Sequence, residues 1–189
     1  MRNRKIIYIH GAGAQEPGTA SCFLKEEIKY ALKDYFSMLA PDMPTPDNPD
    51  CQTWMEVLDA LIHKSDDPIT LVGHSFGASV ILKYLSECTI ETEIASVLLL
   101  AAPFWGNAGW NKPELHLQKV NAGQLSQFDN KIAFFHCHDD EVVPINHLDE
   151  YLNIIPHAEG HILESGGHYL KACMGKIKHQ ILLNNIQYY

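Results

Sequence analysis

The sequence lacks the features of a membrane protein or a nucleic-acid-binding protein. No apolar run approaches the roughly 20 residues that a membrane-spanning helix needs. There are 14 Lys and Arg against 23 Asp and Glu, which gives a formal net charge of -9 with no basic cluster. The apolar stretch at 6–9 that follows the basic N-terminus is too short for a secretory signal. We therefore expect neither a nucleic-acid partner nor a membrane partner.

The cysteines are few and widely spaced. Their number is odd and no two form a C-x-x-C pair, so neither a disulfide framework nor a zinc ribbon is indicated. This usage fits a reducing compartment, and we expect a cytoplasmic protein that needs no metal and no other cofactor. The five residues are Cys22, Cys51, Cys88, Cys137 and Cys173.

The chain does contain a regular alternation of short apolar runs and longer amphipathic segments. Its length of 189 residues suits one domain spanning 1–189. The alternation predicts an α/β fold, with a mainly parallel sheet of about six strands and helices on both faces. Predicted strands cover 6–10, 36–40, 69–73, 94–102, 132–137 and 161–163, and predicted helices cover 22–36, 53–63, 78–85 and 170–186.

Two segments interrupt the alternation. Residues 41–49 contain four prolines in nine positions, which excludes both a helix and a central strand. Residues 103–130 separate two predicted strands by 28 positions and begin with Pro103, Phe104 and Trp105. A connection of that length commonly serves as a lid or a pocket wall, but a crossover helix with ragged ends fits the same residues. The sequence leaves both interpretations open.

Residues 73–77 read Gly-His-Ser-Phe-Gly, a G-x-S-x-G pattern between a predicted strand and a predicted helix. A nucleophile elbow requires that context, because a sharp strand-to-helix turn exposes the serine hydroxyl above the sheet. Without its flanking elements the pattern describes any glycine-rich tight turn. With them, it predicts Ser75 as a catalytic nucleophile.

A serine hydroxyl needs a base to remove its proton and an acid to orient that base. In the chain order associated with this elbow, the acid and then the histidine follow the serine. Three acids, Asp139, Asp140 and Glu141, directly follow the fifth predicted strand. His168 follows a glycine pair after the sixth, so both groups lie beyond the carboxyl ends of strands, where ligands gather in parallel sheets. Ser75, an acid near 140 and His168 thus form an ordered triad.

Other histidines compete for the role of base. His10 and His74 adjoin glycines near the same edge of the sheet, and we expect them to shape or line the site. His136 and His138 precede the three acids and would form, with the first two of them, an alternative set of metal ligands. No H-E-x-x-H helix and no cysteine pair supports a metal site there, so His168 is the preferred base.

Acyl transfer also needs backbone donors aimed at the oxyanion, normally the N–H after the nucleophile and one from the loop after the first core strand. Phe76 supplies the former, and Ala12, within the glycine-rich residues 10–14, is the expected source of the latter. Aromatic and apolar side chains near the site would bind the substrate. The predicted substrate-binding residues are His10, Gly11, His74, Phe104 and Trp105.

These motifs resemble α/β-hydrolases, specifically the small serine-hydrolase (YdeN-like) group that includes the retinoblastoma-binding serine hydrolase. The resemblance rests on residues 10–11, 73–77, 139–144 and 167–168, in order across nearly the whole chain, and on the proline-rich 40–44. It implies a compact α/β-hydrolase fold with a minimal cap or none. In such families the acid stands four residues before the proline of a D-x-x-V-P turn, which implies Asp140 rather than Asp139.

Two classes of function follow. The first is a serine hydrolase, by preference a carboxylesterase, that cleaves small ester or related acyl substrates through an acyl-enzyme intermediate. The serine disfavours epoxide hydrolase or haloalkane dehalogenase chemistry, which the resemblance associates with Asp at that position. The second is a hydrolase fold used mainly as a protein-interaction module, with secondary catalytic activity and an unknown partner. The intact set of Ser75, Asp140 and His168 favours the first class, but the fold cannot choose among ester, thioester and amide.

Overall fold

The computed structural model describes residues 4–106, 109–117 and 123–186. Its strands are β1 (Lys5–Ile9), β2 (Ser37–Leu39), β3 (Ile69–His74), β4 (Ile94–Leu100), β5 (Ile132–Cys137) and β6 (Glu159–Leu163). They form one sheet in the order β2-β1-β3-β4-β5-β6, and all neighbouring strands in it are parallel. The α/β fold and the six-stranded parallel sheet predicted from the alternation are confirmed.

The strand order reverses beside β1. From β1 the chain moves outward to the edge strand β2 and then returns to β3 on the other side of β1. Such a reversal leaves a crevice beyond the carboxyl ends of the two neighbouring strands. His10 directly follows β1 and Ser75 directly follows β3. The topology therefore places both segments at the edge where ligands bind in sheets of this kind.

The described α-helices are α1 (Ala20–Leu32), α2 (Cys51–Ile62), α3 (Phe76–Glu87), α4 (Asn146–Ile154) and α5 (Met174–Asn184). The core forms two clusters, one on each face of the sheet. α1 and α5 contribute to the cluster that contains Tyr8 and Val72, whereas α2, α3 and α4 contribute to the cluster that contains Ile9 and Leu71. None of the helices in the described residues is long and apolar enough to cross a membrane.

Helix caps and turns explain where the observed helix ends differ from the predicted ones. α1 and α2 each begin two residues early, because the side chain of Thr19 accepts from the Cys22 N–H and that of Asp50 accepts from the Thr53 N–H. α5 begins at Met174 rather than at 170. The four preceding residues form a turn in which Leu170 and Ala172 have φ of 50° and 62°, outside the helical range.

α4 was not predicted from the sequence. Its apolar residues Leu148, Tyr151 and Leu152 are spaced as a helix requires, with Ile155 at the C-cap, but the helix has only nine residues. The connection 103–130 contains two 3₁₀ helices, Pro113–Leu115 and Gly123–Phe128, and no α-helix among its described residues. Residues 107–108 and 118–122 lie outside the described part of the chain. A lid or pocket wall in this connection stays a prediction.

Candidate active site

Ser75 occupies a strained turn between β3 and α3. Its backbone has φ 51° and ψ -120°, a combination that a residue with a side chain rarely adopts. The Ser75 N–H donates to the Leu100 carbonyl at 2.8 Å, and the Ser75 carbonyl accepts from the Ala78 N–H at 3.0 Å. The half-buried serine side chain therefore stands on a backbone that is fixed from both sides.

Close packing requires both glycines of the G-x-S-x-G pattern. A Cβ on Gly77 would lie 2.2 Å from the His10 carbonyl oxygen, and a Cβ on Gly73 would lie 2.7 Å from the backbone nitrogen of Ala78. Only a hydrogen atom fits at either position. α3 therefore begins directly against the carboxyl end of β1. The Phe76 N–H lies in the first turn of this helix, where backbone N–H groups have no acceptor within the helix.

The loop after β1 passes close to Ser75. A Cβ on Gly11 would lie 3.2 Å from the Ser75 Cβ, whereas Ala12 is exposed. The proline-rich segment 41–49 holds this loop, because the Gly13 N–H donates to the Pro46 carbonyl and the Met43 N–H donates to the Gln15 side chain, both at 2.8 Å. The structure thus brings the predicted oxyanion loop next to the predicted nucleophile.

His168 and Asp140 form a buried pair. The His168 Nδ1 lies 3.1 Å from Oδ1 and 3.0 Å from Oδ2 of Asp140, and the side chains are 5% and 0% exposed respectively. An ionised carboxylate only accepts hydrogen bonds, so Nδ1 carries the proton and donates a hydrogen bond to Asp140. The Nε2 atom of a neutral His168 is then left with a lone pair that can accept a proton.

The surroundings of Asp140 keep its carboxyl group ionised. Burial alone would raise the pKa of this carboxyl, but the adjacent His136 ring and hydrogen bonds from His168 and the Val143 N–H outweigh burial and hold the pKa well below its usual value. The Val142 N–H also donates to Oδ1, at 2.9 Å. A fixed negative charge beside Nδ1 stabilises the positive charge that His168 would gain on taking up a proton.

Asp139 and Glu141 position the backbone that carries His168. Asp139 accepts from the Gly167 N–H at 2.9 Å and from the Gly166 N–H at 3.3 Å, which lowers the pKa of this exposed carboxyl. Glu141 accepts from the His168 N–H at 3.2 Å. The acid turn, residues 139–141, therefore binds the His168 loop, residues 164–173, at three consecutive backbone positions and at the imidazole ring.

His10 and His74 are buried beneath the site, with exposures of 0% and 1%. The His74 Nε2–H donates to the His168 carbonyl at 2.9 Å, so this histidine also supports the His168 loop. His10 Nδ1 pairs with the Ser21 hydroxyl at 3.1 Å. Burial lowers the pKa of His74 to about 3 and that of His10 to about 4, so both are neutral at pH 7. They shape the site from below, and neither is available as a charged group.

The predicted pocket residues Phe104 and Trp105 lie half-buried at the margin of the core cluster that contains α3. Phe104 packs edge-on against Tyr151, with its backbone N–H donating to His147 at 2.8 Å. The Trp105 Nε1–H donates to the Ser79 hydroxyl in α3 at 2.8 Å. Trp105 therefore lies on the elbow helix, while Phe104 lies against α4.

The supporting roles of three residues were not predicted from the sequence: those of Gln15, His136 and Glu141. His136 was considered as a metal ligand or a competing base, but its Nε2–H donates to the Val143 carbonyl at 2.8 Å and lies 3.4 Å from Asp140. Among the described residues, no group of three or more His, Cys, Asp and Glu side chains is arranged to hold a metal. The position of Glu141 beside Asp140 was the only available signal for its role.

Solved structures share the fold of this chain. The ydeN gene product of B. subtilis has a TM-score of 0.78 at 21% identity, covering 98% of this chain and 100% of that one. The meta-cleavage product hydrolase CumD of Pseudomonas fluorescens IP01 has a TM-score of 0.74 at 15% identity, covering 100% of this chain and 92% of that one. These similarities confirm the compact α/β-hydrolase fold.

Sequence comparison gives the family. The Bacillus subtilis (strain 168) protein YdeN is 24% identical over 176 residues, which cover 89% of this chain and 87% of YdeN. The model of the family described as serine hydrolase matches residues 30–175, more than half of the chain. This span contains the elbow serine and the pair formed by Asp140 and His168. The chain therefore belongs to the serine hydrolase family.

Proposed function

We propose that the chain hydrolyses small esters or related acyl compounds, with Ser75 as nucleophile, His168 as base and Asp140 as the acid that orients the base. The observation that carries the proposal is the buried Nδ1 contact of 3.0 Å between His168 and Asp140. It leaves Nε2 as the only ring nitrogen of His168 able to take a proton. A buried, ionised acid in this position serves a histidine that gains charge during a reaction.

The reaction begins when His168 Nε2 removes the proton of the Ser75 hydroxyl as the oxygen attacks the substrate carbonyl. The tetrahedral intermediate collapses when His168 gives the proton to the leaving alcohol. Water then attacks the acyl-enzyme with His168 again acting as base, which releases the acid and restores Ser75. Asp140 keeps the same tautomer of His168 through both halves of the cycle.

The Phe76 and Ala12 N–H groups stabilise the oxyanion in this mechanism. Phe76 is suited to the role because its N–H lies at the start of a 12-residue helix, where the backbone carries partial positive charge. Ala12 is suited because Gly11 passes so close to the Ser75 Cβ. Two fixed donors need no reorganisation when charge develops on the substrate oxygen.

The acid turn favours catalysis over the alternative function as a protein-interaction module. A binding module has no need for three carboxylates arranged around one histidine loop, or for an imidazole with a fixed tautomer. These features support catalysis, with a small-molecule acyl compound as the substrate.

A fluorophosphonate probe, which reacts with activated serines, tests the assignments. Wild type is expected to be labelled, whereas Ser75→Ala is not and His168→Ala is labelled at least about 10³-fold more slowly. Ser126→Ala and His138→Ala serve as matched controls at exposed positions, and both are expected to label like wild type. Labelling that survives in Ser75→Ala contradicts the nucleophile, and an unchanged rate in His168→Ala contradicts the base.

The acyl-enzyme has a kinetic signature. With p-nitrophenyl acetate at substrate excess, we expect a burst of about one p-nitrophenol per active site when deacylation is the slower half. Mass spectrometry of the quenched reaction should show one acetyl group on the peptide that contains Ser75. An acetyl group on another residue, with turnover intact, contradicts the mechanism.

A further inference from the structure

The thiols of Cys137 and Cys173 lie close together beneath the His168 loop. A Cβ on Gly166 would lie 3.0 Å from the sulfur of Cys137 and 3.1 Å from the sulfur of Cys173, so one point in space touches both sulfurs. Burial and the neighbouring Cys173 thiol both raise the pKa of the Cys137 thiol. Cys173 is half-buried and its S–H also lies 3.2 Å from the Ser165 carbonyl, whereas Cys137 is fully buried. Both are free in the structure.

The two cysteines belong to the two segments that position the proposed base. Cys137 ends β5 and is followed within three residues by Asp140, while Cys173 ends the His168 loop just before α5. Gly166, which lies against both sulfurs, is also the residue whose N–H donates to Asp139. A bond between the sulfurs would therefore join the acid turn to the His168 loop covalently.

We propose that Cys137 and Cys173 are a redox-active dithiol that closes to a disulfide by exchange with a small disulfide such as glutathione disulfide. The Cys173 thiolate attacks one sulfur of glutathione disulfide, which forms a mixed disulfide and releases one glutathione thiolate. The Cys137 thiolate then attacks the Cys173 sulfur and releases the second glutathione. Two cysteine thiols are oxidised, two glutathione molecules are formed, and two protons leave the protein.

Cys173 is the attacking residue because it is the more accessible thiol, half-buried where Cys137 is fully buried. Burial raises the pKa of both thiols, that of Cys137 to about 12. For Cys173 the neighbouring Cys137 thiol and the charge of Lys176 oppose burial, while Asp139 adds to it. Exchange is therefore slow at neutral pH, as suits a pair that responds to a sustained change in redox conditions.

Closure displaces the His168 loop. The two sulfurs must approach each other to the disulfide bond length of about 2.05 Å, and the loop that carries Cys173 has the backbone of Gly166 and Lys171 packed beside them. A shift of about 1 Å in a catalytic group lowers rates strongly. This consequence rests on the proposed function, and we expect the oxidised protein to label with the fluorophosphonate probe at least about tenfold more slowly, with full recovery in dithiothreitol.

Disulfide formation itself is measured without any activity. Full-length protein incubated with 5-fold to 50-fold ratios of oxidised to reduced glutathione is expected to lose about 2 Da by intact mass spectrometry. Reactive thiols in the denatured protein should fall from five to three. Peptide mapping should give one crosslinked pair, Cys137 with Cys173. Cys137→Ser, in which the mixed disulfide on Cys173 cannot be resolved, and Cys173→Ser should show neither the 2 Da mass loss nor the crosslink. Cys88→Ser, which changes a half-buried cysteine at the end of α3, should close like wild type.

The two parts of the proposal fail separately. No mass loss in wild type, a stable glutathione adduct in place of the crosslink, or a crosslink to another cysteine overturns the dithiol. A crosslink that forms without slowing the probe overturns its effect on the site. Failure of the proposed function is distinct, because wild type that is fully reduced would then show no Ser75-dependent labelling at all.

Discussion

Ser75 and His168 are held in place by different kinds of interaction. The Ser75 turn is fixed by backbone hydrogen bonds and by close packing, in which Gly77 lies against the carbonyl of His10 with no space for a side chain. The His168 loop is instead held by the carboxylates of the acid turn, two of whose residues, Asp139 and Glu141, are exposed.

The difference divides the site into a part that depends on shape and a part that depends on charge. A buried backbone contact tolerates no change of volume, since the surrounding atoms cannot retreat. An exposed carboxylate that accepts backbone hydrogen bonds can be replaced without a steric clash, by a side chain that removes the charge alone or the charge and the acceptor together. Mutations at the elbow should therefore affect folding first, whereas mutations in the acid turn should affect the rate of reaction first.

The largest effect is expected at Gly77. In Gly77→Ala the new Cβ would lie 2.2 Å from the His10 carbonyl oxygen, so β1 and α3 must separate. We expect a loss of about 3 kcal/mol or more in the free energy of unfolding, or no folded protein. Urea denaturation followed by circular dichroism measures it. Gly175→Ala is the control, since no atom lies within 4 Å of its new Cβ; equal stability of the two variants would contradict the packing argument.

The next largest effect separates the two aspartates of the acid turn. Asp140→Asn removes the charge and allows the wrong tautomer of His168, so ester turnover should fall by about 10³–10⁴-fold. Asp139→Asn keeps an oxygen that can accept from Gly167, and we expect a loss of at most about tenfold. Steady-state hydrolysis of p-nitrophenyl acetate measures both. The reverse ranking would assign the orienting role to Asp139.

The same division explains how much of the molecule could be predicted from its sequence. The sheet, its parallel strands and the elbow were predictable because apolar runs and closely spaced glycines are local patterns. The support of the predicted oxyanion loop by Gln15 and the proline-rich segment depends on contacts between residues about 30 apart, as from Gln15 to Met43, and has no local pattern. The roles of Asp139 and Glu141 depend on how one loop lies on another, which the order of the residues does not specify.

As the pH falls, protonation of His74 and His10 beneath the elbow should lower the free energy of unfolding before protonation of Asp140 in the acid turn does. His74 and His10 have folded-state pKa values of about 3 and 4 against an ordinary 6.5, so their stabilising effect is complete above pH 6.5 and is lost as the pH falls toward those values. Each histidine lowers the free energy of unfolding by up to about 1.4 kcal/mol for each pH unit below 6.5, because it binds a proton more readily in the unfolded chain than in the folded protein. Asp140, with a pKa below its usual 3.8, adds to the loss only below about pH 4.

Urea denaturation at pH 7.5, 6.5, 5.5 and 4.5 measures this dependence. His74→Gln, which keeps a donor for the His168 carbonyl, should unfold with a shallower pH slope than wild type. His138→Gln, at an exposed position, should keep the wild-type slope. If His74→Gln loses stability in acid as steeply as wild type does, His74 is not the buried neutral group described here.

The smallest effect is expected at Glu141, whose only described hydrogen bond is the one it accepts from the His168 N–H at 3.2 Å. Glu141→Ala leaves that N–H to water and loosens one of the contacts on the loop, so turnover should fall about three- to tenfold with KM nearly unchanged. Glu141→Gln retains an acceptor and should recover most of the rate. Equal loss in both variants would mean that the charge of Glu141, and not its hydrogen bond, supports His168, and the acid turn would then act on this loop through its field more than through its contacts.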